Sequence, residues 1–372
     1  MLTPMRIAGI GTAVPAGRMS QEVAAARAIE LNTAPGQRAE TIRALHRRAG
    51  VGHRHAVILD GEQPSFYAPS RGEDDHGPTT RERMERFERE AANLAEVAIR
   101  AALAKAVVMP AAIAHLITVS CTGFSSPGFD IEVARRLGMR ATVARTHVGF
   151  MGCHGMMNAL RVAHAACAAD PTATVLACAV ELCSLHQQVS ADPGQIVANA
   201  LFADGAAAIV GRAATEGDAG VPRDGDGAVA AAAPRLLASH SAIIPDTADL
   251  MTWRIGNSGF QMHLDARVPS AIAHELRPAL CAFLDARGLG LRDIGSWAVH
   301  PGGPRILQAV SESLELQPAD LAASRDILAR FGNMSSPTIL FILDALMRSG
   351  AKLPCMMLAF GPGLTVEAAL VG

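Results

Sequence analysis

Residues 149–169 read GFMGCHGMMNALRVAHAACAA, and a strand pattern gives way to a helical pattern within this stretch. The run that leads into it, ATVARTHVGF, is apolar and partly β-branched, whereas the part that follows has the spacing of a small-residue helix. Glycines on both sides of Cys153 predict a sharp strand-to-helix turn that exposes its thiol. A helix N-terminus presents unpaired N–H groups and partial positive charge, which favour a thiolate. Cys153 is therefore a candidate nucleophile, and the alternative is an inert core cysteine.

The composition is that of a large globular chain. It has 372 residues, half of them apolar, and this length predicts two domains or one large duplicated one. The net charge of −2 gives no overall field that would attract nucleic acid or an acidic membrane. The aromatic residues are one Tyr, two Trp and eleven Phe, too few for a surface built to stack bases. We therefore expect no nucleic-acid partner.

The cysteine pattern indicates a reducing compartment. Seven cysteines are present, the number is odd, and no pair has C-x-x-C spacing, so neither structural disulfides nor a metal site is expected. The first residues lack the charged start and apolar block of a signal peptide. No uncharged apolar run approaches the length of a membrane span. We expect a cytoplasmic protein without membrane insertion.

The order of patterns along the chain predicts an α/β protein in two halves. Apolar strand patterns such as TATVLACAVEL alternate with helical patterns, which predicts sheets covered on both faces. Residues 213–233 are rich in Gly, Ala, Asp and Pro and form the predicted linker. Similar element orders on either side divide the chain into 1–212 and 234–372. In the second half, SSPTILFILDALM predicts a helix with serine caps and Pro337 in its first turn.

Two further polar residues stand at predicted element ends. His300 follows a buried strand in SWAVHPGGPRIL, and Asn333 lies in a Gly-Asn turn in RFGNMSSPTILFIL. Each alone has an ordinary structural explanation, but together with Cys153 they form a Cys/His/Asn set. In such a set a thiolate attacks a thioester, an imidazole stabilises the thiolate as an ion pair, and an amide gives a neutral donor to an oxyanion.

These motifs resemble those of the type III polyketide synthases, the chalcone-synthase-like enzymes. Within that family the chain resembles a bacterial-type member. The resemblance spans nearly the whole chain, and its motifs are, in order, GIGTAVP, GCHG, ALFADGAAA, HPGGPRIL, FGNMSSPTILFIL and FGPGLTVE. It implies a thiolase-like αβαβα layered fold built from two similar halves. The half 1–212 would carry the nucleophilic cysteine, the half 234–372 would carry the catalytic histidine and asparagine, and the protein would be a homodimer.

The resemblance also implies an acyltransferase reaction. Cys153 would take an acyl group from an acyl-CoA starter, while His300 and Asn333 would bind malonyl-CoA and stabilise the enolate left by departing carbon dioxide. Repeated rounds would end in cyclisation to a pyrone, a resorcinol or a related polyketide. Coenzyme A thioesters would be substrates, and no cofactor or metal would be required.

Further positions are assigned by the same resemblance. Phe202 matches a gate residue of the family, an aromatic side chain between the coenzyme A tunnel and the active-site cavity. Met262 stands where the family has a second aromatic gate residue. The remaining substrate-binding candidates are Trp253, Cys183, His186 and Gly363, and the coenzyme A candidates are Arg305 and Arg48. Glu181 keeps the buried acid of the family, whereas His154 follows the nucleophile where small or aromatic residues are common.

Two other functions stay open at this point. One is a ketoacyl synthase of the initiating type, which would take one substrate from acyl carrier protein. The other is a non-catalytic thiolase-fold protein that only binds an acyl chain. The scarcity of aromatic residues, together with Met262 and Trp253, favours an aliphatic or small starter.

Overall fold

The structure, a computed structural model, describes residues 3–31, 35–59, 66–68, 76–190, 192–215 and 233–372. Its strands are β1 (Met5–Ala13), β2 (Arg18–Ser20), β3 (His53–His55), β4 (Ile113–Ser120), β5 (Ala144–Gly149), β6 (Thr174–Leu182), β7 (Asp204–Ala213), β8 (Arg235–Ile243), β9 (Met251–Gly256), β10 (Gly259–Leu264), β11 (Ser296–Val299), β12 (Cys355–Gly361) and β13 (Thr365–Val371). Its α-helices are α1 (Gln21–Glu30), α2 (Pro35–Arg48), α3 (Thr80–Ala106), α4 (Phe129–Leu137), α5 (Gly155–Ala169), α6 (Pro193–Leu201), α7 (Val268–Asp285), α8 (Pro304–Leu314), α9 (Ala322–Phe331) and α10 (Thr338–Arg348).

Nine strands of the described ranges form one sheet in the order β11-β12-β13-β8-β1-β7-β6-β4-β5. The strands from β5 to β1 belong to the first half of the chain, and β8 to β11 belong to the second. The halves meet where β1 pairs with β8, at Met5 opposite Leu236 and Arg6 opposite Arg235. The large sheet therefore runs without a break through both halves.

The fold has five alternating layers of helices and strands, and three clusters of buried apolar residues lie between them. Helices α3 and α4 pack on the outer face of the first half's strands. Helices α5 and α10 fill the centre, between strands of both halves, and α7 and α8 cover the outer face of the second half. Every residue of β6 is buried, which explains its continuous apolar sequence, because both faces of the strand are covered. This arrangement confirms the predicted thiolase-like αβαβα fold.

Close contact between β1 and α3 depends on two glycines in GIGTAVP. A Cβ at Gly11 would lie 2.1 Å from the carbonyl oxygen of Ala98, and one at Gly9 would lie 2.5 Å from that of Ala102. Helix α3 itself begins at a capping box in which Thr79 and Glu82 bond each other's backbone N–H groups. The opening motif thus brings the first strand into direct contact with the outer helix layer.

Two local predictions differ from the structure. Helix α10 begins at Thr338 and has no side-chain cap from a serine, because the Ser336 hydroxyl donates instead to Glu181 at 2.6 Å. The antiparallel hairpin β9–β10 was not predicted. Strand β7 ends at Ala213 and β8 begins at Arg235, so the predicted linker falls between them, although residues 216–232 lie outside the described ranges. Every helix in the described part is too short or too polar to cross a membrane.

Candidate active site

The Cys153 turn joins the end of β5 to the start of α5. Cys153 lies in a single 3-10 turn, Gly152–His154, which leads directly into the helix. Gly152 has a φ of +72°, and a Cβ there would lie 2.5 Å from Cδ of Pro362. Its N–H donates to the Cys121 sulfur at 3.0 Å. The predicted strand-to-helix turn is present, and glycine is required at its tightest point.

Asn333 is held by backbone pairing to the residues around Phe202. The Asn333 N–H donates to the carbonyl of Leu201 at 2.9 Å, and the N–H of Ala203 donates to the carbonyl of Asn333 at 2.9 Å. The Asn333 Oδ1 accepts from the Ser335 N–H at 2.8 Å. The Asn333 side chain also acts on Cys153, where its hydrogen bonding lowers the pKa of the thiol.

His300 follows β11 and is fully buried. Its backbone N–H donates to the carbonyl of Leu358 at 2.8 Å, which extends the pairing with β12. Neither ring nitrogen has a hydrogen-bond partner among the described residues. Burial, helped by the neighbouring His154, lowers the pKa of His300 to about 3. The imidazole is therefore neutral, with one donor and one acceptor available to a bound molecule.

The three predicted catalytic side chains come together at one small cavity of about 40 Å³. Cys153, His300 and Asn333 all line it. Phe202 and Met262 line it as well, and both also line a larger cavity of about 290 Å³ that begins at Cys153. The two predicted gate residues thus lie where the two cavities meet.

The surroundings of Cys153 change the pKa of its thiol. Burial raises the pKa of its thiol to about 11, and the charge of Glu181 acts in the same direction. Hydrogen bonds from Ser335 and Asn333 lower the pKa but do not offset burial. Burial also lowers the pKa of His300, so desolvation favours the uncharged form of each group, and the thiolate–imidazolium ion pair stays a prediction.

Aromatic rings form one wall of the larger cavity. The Trp253 Nε1–H donates to the carbonyl of Cys121 at 2.7 Å, which fixes the indole beside the cavity. The His186 ring stacks on Phe260 with 4.2 Å between ring centroids. Its Nε2 donates to the carbonyl of Thr122 at 2.6 Å and its Nδ1 accepts from the Phe260 N–H at 3.0 Å. Burial lowers the pKa of His186 to about 3. The hydrogen-bonded imidazole therefore forms a flat, rigid part of the cavity wall.

Glu181 connects loops from both halves beneath the cavity. Its carboxylate accepts from the Thr122 hydroxyl at 2.7 Å, from the Cys121 N–H at 2.9 Å and from the Ser336 hydroxyl at 2.6 Å. Burial raises the pKa of this fully buried acid to about 7. The predicted Cys183 lies nearby in the cavity wall, where burial raises the pKa of its thiol well above the usual range.

His154, whose role the sequence left open, fastens the nucleophile turn to the end of the second half. Its Nδ1 donates to Asn158 Oδ1 at 2.8 Å, and its Nε2 accepts from the Thr365 hydroxyl at 2.6 Å. Asn158 in turn donates to Glu367 at 3.1 Å. A Cβ at Gly361 would lie 2.2 Å from the His154 ring, so the two segments interlock.

Three predicted binding residues lie away from the cavities. Arg48 is exposed near the end of α2, and Arg305 is exposed on α8, beside a surface groove between α7 and α8. Gly363 lies in the turn between β12 and β13, with a φ of +124°, and its neighbour Pro362 lines the larger cavity in its place. Their binding roles stay predictions from the resemblance.

Sequence reasoning missed two buried arginines. Arg54 donates to the carbonyls of Asn199 at 2.6 Å and Phe202 at 2.9 Å, and so fixes the backbone of a gate residue. Arg83, with no exposed surface, donates to the Tyr67 hydroxyl at 2.8 Å and the Leu185 carbonyl at 2.6 Å, near His186. No local sequence pattern marks either Arg54 or Arg83 as buried.

Metal-ligating side chains do not cluster in the described ranges. No group of three His, Cys, Asp or Glu side chains there is arranged to hold a metal ion.

Comparison with known proteins gives matches along almost the entire chain. The model of the N-terminal domain of chalcone and stilbene synthases matches residues 4–214, and that of the C-terminal domain matches residues 235–372. A 1,3,6,8-tetrahydroxynaphthalene synthase from Streptomyces peucetius subsp. caesius is 37% identical over 98% of this chain and 92% of its own length. An alpha-pyrone synthesis polyketide synthase-like protein from Mycobacterium tuberculosis is 33% identical over 98% of this chain and 90% of its own length.

Solved structures agree with these sequence matches. The crystal structure of PKS-I from the brown alga Ectocarpus siliculosus superposes with a TM-score of 0.89 at 28% identity, covering 100% of this chain and 98% of that one. The C-terminal type III polyketide synthase domain of a hybrid enzyme from Dictyostelium gives a TM-score of 0.86 at 26% identity, covering 99% of each chain. Fold, site and relatives lead to one conclusion: the chain belongs to the chalcone and stilbene synthase family and is a type III polyketide synthase, an acyl-transferring condensing enzyme.

Proposed function

We propose that this synthase condenses malonyl-CoA with an acyl-CoA starter held as a thioester on Cys153, repeats the extension, and releases a cyclised polyketide. The observation that carries the proposal is the meeting of Cys153, His300 and Asn333 at one small buried cavity. A nucleophile and two hydrogen-bond donors at one cavity are what an acyl transfer followed by a carbanion reaction requires.

Loading begins when Cys153 attacks the carbonyl carbon of the starter thioester. The new bond joins the Cys153 sulfur to the acyl carbon, and the bond from that carbon to coenzyme A breaks with its electron pair on the leaving thiolate. The proton lost by Cys153 balances the proton that coenzyme A takes up. Burial raises the pKa of Cys153 to about 11, so loading requires that the thiol give up its proton as it attacks.

Decarboxylation uses the neutral donors of His300 and Asn333. In the proposed pose the malonyl thioester carbonyl accepts one hydrogen bond from the imidazole and one from the amide. The bond to the carboxylate breaks, carbon dioxide leaves, and the electron pair stays on the α-carbon as an enolate whose oxygen is held by the same two donors. The ring nitrogens of His300 support this role, since neither has a hydrogen-bond partner among the described residues.

Condensation then joins the two acyl groups. The enolate carbon attacks the thioester carbonyl on Cys153, the carbon–sulfur bond breaks, and Cys153 leaves as a thiolate. The product is an acyl-CoA longer by two carbons, which returns to Cys153 for the next round. Both substrates arrive as activated thioesters, so the proposed sequence needs no organic cofactor and no metal.

The larger cavity supports an aliphatic or small starter. Its walls include several small or aliphatic side chains, namely Met19, Ala24, Leu31, Ala56, Ile58 and Ala198. Trp253 and His186 restrict the opposite side. We therefore propose a pyrone or resorcinol as product. Alpha-pyrone synthesis is named for one relative and fits this proposal.

Coenzyme A would be bound at the surface by Arg305 and Arg48. Both residues are exposed, and no ion pair within the described ranges engages either guanidinium. A free guanidinium can bind a phosphate through two parallel hydrogen bonds. We also propose that the protein is a cytoplasmic homodimer, and the exposed edge strand β5 supports the second copy.

The test is product analysis by mass spectrometry of purified enzyme with malonyl-CoA and a panel of acyl-CoA starters. We expect polyketides that carry two or more acetate units and that disappear in Cys153→Ala. Release of a single-condensation ketoacyl product, or activity only with acyl carrier protein, would reassign the chain to the initiating ketoacyl synthases. A folded enzyme that binds acyl-CoA without turnover would indicate a binding protein.

A further inference from the structure

A serine hydroxyl contacts the nucleophile and is not one of the three catalytic side chains. Ser335 Oγ donates a hydrogen bond to Cys153 Sγ over 3.5 Å. Ser335 is 5% exposed and lines the larger cavity next to the thiol. A sulfur atom accepts hydrogen bonds weakly as a thiol and more strongly when it carries negative charge. This contact therefore favours the thiolate over the thiol.

The backbone around Ser335 aims its hydroxyl at the sulfur. Ser335 has a φ of +57°, which is uncommon for a residue with a Cβ. Its N–H is held by Asn333 Oδ1 at 2.8 Å, while the next hydroxyl, that of Ser336, points away to Glu181 at 2.6 Å. A strained conformation persists only where its surroundings hold it, so the two serines of GNMSS have separate tasks.

His300 does not contribute a hydrogen bond to the sulfur here. Its ring nitrogens have no partner among the described residues, so the side-chain donors to Cys153 are Ser335 and Asn333. In the proposed reaction Asn333 also serves the malonyl carbonyl. Ser335 is then the donor that remains for the sulfur alone.

We propose that the Ser335 hydroxyl is a further catalytic group that stabilises the Cys153 thiolate during starter loading and is not required for malonyl-CoA decarboxylation. The inference rests on the proposed function. In loading, the sulfur–acyl bond forms, the acyl–coenzyme A bond breaks, and the electron pair leaves with the coenzyme A thiolate, which is protonated. Once acylated, the sulfur has no negative charge, and the Ser335 hydrogen bond no longer favours the reacting state.

The first test needs no substrate. The rate of Cys153 alkylation by iodoacetamide is measured by peptide mass spectrometry across neutral pH for the full-length wild type, Ser335→Ala and Ser335→Gly. We expect both variants to react about tenfold more slowly, because a hydrogen bond to a charged group is lost. Glycine removes the backbone strain as well as the hydroxyl, so a wild-type rate in Ser335→Gly would attribute the effect to strain and overturn the proposal. An equal or faster rate in Ser335→Ala would overturn it too.

The second test separates the two half-reactions. Single-turnover loading of Cys153 from an acyl-CoA is compared with carbon dioxide release from malonyl-CoA. We expect Ser335→Ala to slow loading about tenfold more than decarboxylation, and Asn333→Ala to show the reverse order. Equal losses of both rates in Ser335→Ala would overturn the proposal. If the wild type neither loads nor decarboxylates, the proposed function fails, whereas the alkylation rates still decide whether Ser335 stabilises the thiolate.

Discussion

At the residue scale, the most unusual group is a buried histidine with unpartnered ring nitrogens. The ring nitrogens of His300 make no hydrogen bond within the described residues, and burial lowers the pKa of the imidazole to about 3. Asn333, in contrast, is held at its backbone and at its side-chain oxygen. In this site the Asn333 amide is fixed by hydrogen bonds within the protein, whereas the His300 ring can form its hydrogen bonds with a bound molecule. A buried polar group without hydrogen-bond partners lowers stability, and proteins retain one where function requires it.

The buried His300 makes a prediction about the pH dependence of stability. Its pKa is about 3 in the folded chain and 6.5 as an unperturbed group, so between these values only the unfolded chain binds the proton. The free energy of unfolding therefore falls as the pH drops from 6.5 towards 3, by up to ~1.4 kcal/mol per pH unit for this one proton. We expect His300→Gln to show a shallower fall, measured by urea denaturation between about pH 6.5 and pH 5.

The matched control is Trp297→Phe in β11, the strand that leads to His300, which removes no titratable group. It should lower the free energy of unfolding by a similar amount at both pH values. A wild-type slope in His300→Gln would show that His300 is not neutral in the folded chain.

At the element scale, the β9–β10 hairpin decides the shape of the larger cavity. It contributes Met251, Trp253 and Met262 to the lining, and Trp253 is tied to the facing loop through the carbonyl of Cys121. Phe260, on the other strand of the hairpin, stacks on His186. One short hairpin thus determines both the gate and the far wall.

Removing the indole should lengthen the product. We expect Trp253→Ala to shift the product distribution, with the same starter, towards polyketides with at least one more acetate unit, because the cavity gains the volume of the ring. Trp253→Phe keeps most of that volume and serves as the control. The readout is liquid chromatography with mass spectrometry of total products. An unchanged distribution in a folded Trp253→Ala enzyme would show that the hairpin does not limit chain length.

The elements that the sequence predicted are those with a regular burial pattern. Strand β6 is buried throughout and was read directly from TVLACAVEL. The β9–β10 hairpin was missed because one face meets a cavity and the other meets solvent, which leaves no clean alternation. Cys153, His300 and Asn333 were found because their motifs are local. The Arg54 bonds to Asn199 and Phe202 join residues far apart in sequence, so no local pattern could reveal them.

At the scale of the whole molecule, the sheet ends in an exposed strand. Within the described residues β5 pairs on one side only, with β4, and most of its residues are exposed. Next to it, Phe124 is 52% exposed and Phe150 is 38% exposed, with their ring centroids 6.2 Å apart. An open strand edge beside an apolar patch is the kind of surface that associates. This edge is where we expect the second copy in the proposed homodimer.

Negative charges introduced on this patch should dissociate the proposed dimer. We expect the wild type to be a dimer in size-exclusion chromatography with light scattering, and Phe124→Glu/Phe150→Glu to be a monomer, because carboxylates would be buried without partners. Val97→Glu, at another exposed apolar position on α3, is the control and should stay dimeric. A double variant that melts like the wild type and remains dimeric would place the interface elsewhere.

The interlock between His154 and the segment Gly361–Thr365 has a consequence for synthesis of the protein. The ribosome makes Thr365 211 residues after His154, a delay of roughly 10–40 s at about 5–20 residues per second. During that interval the nascent chain carries the Cys153 turn without Gly361, Pro362 or Thr365 to hold it. The nucleophile turn therefore gains its contacts to the second half only late in translation.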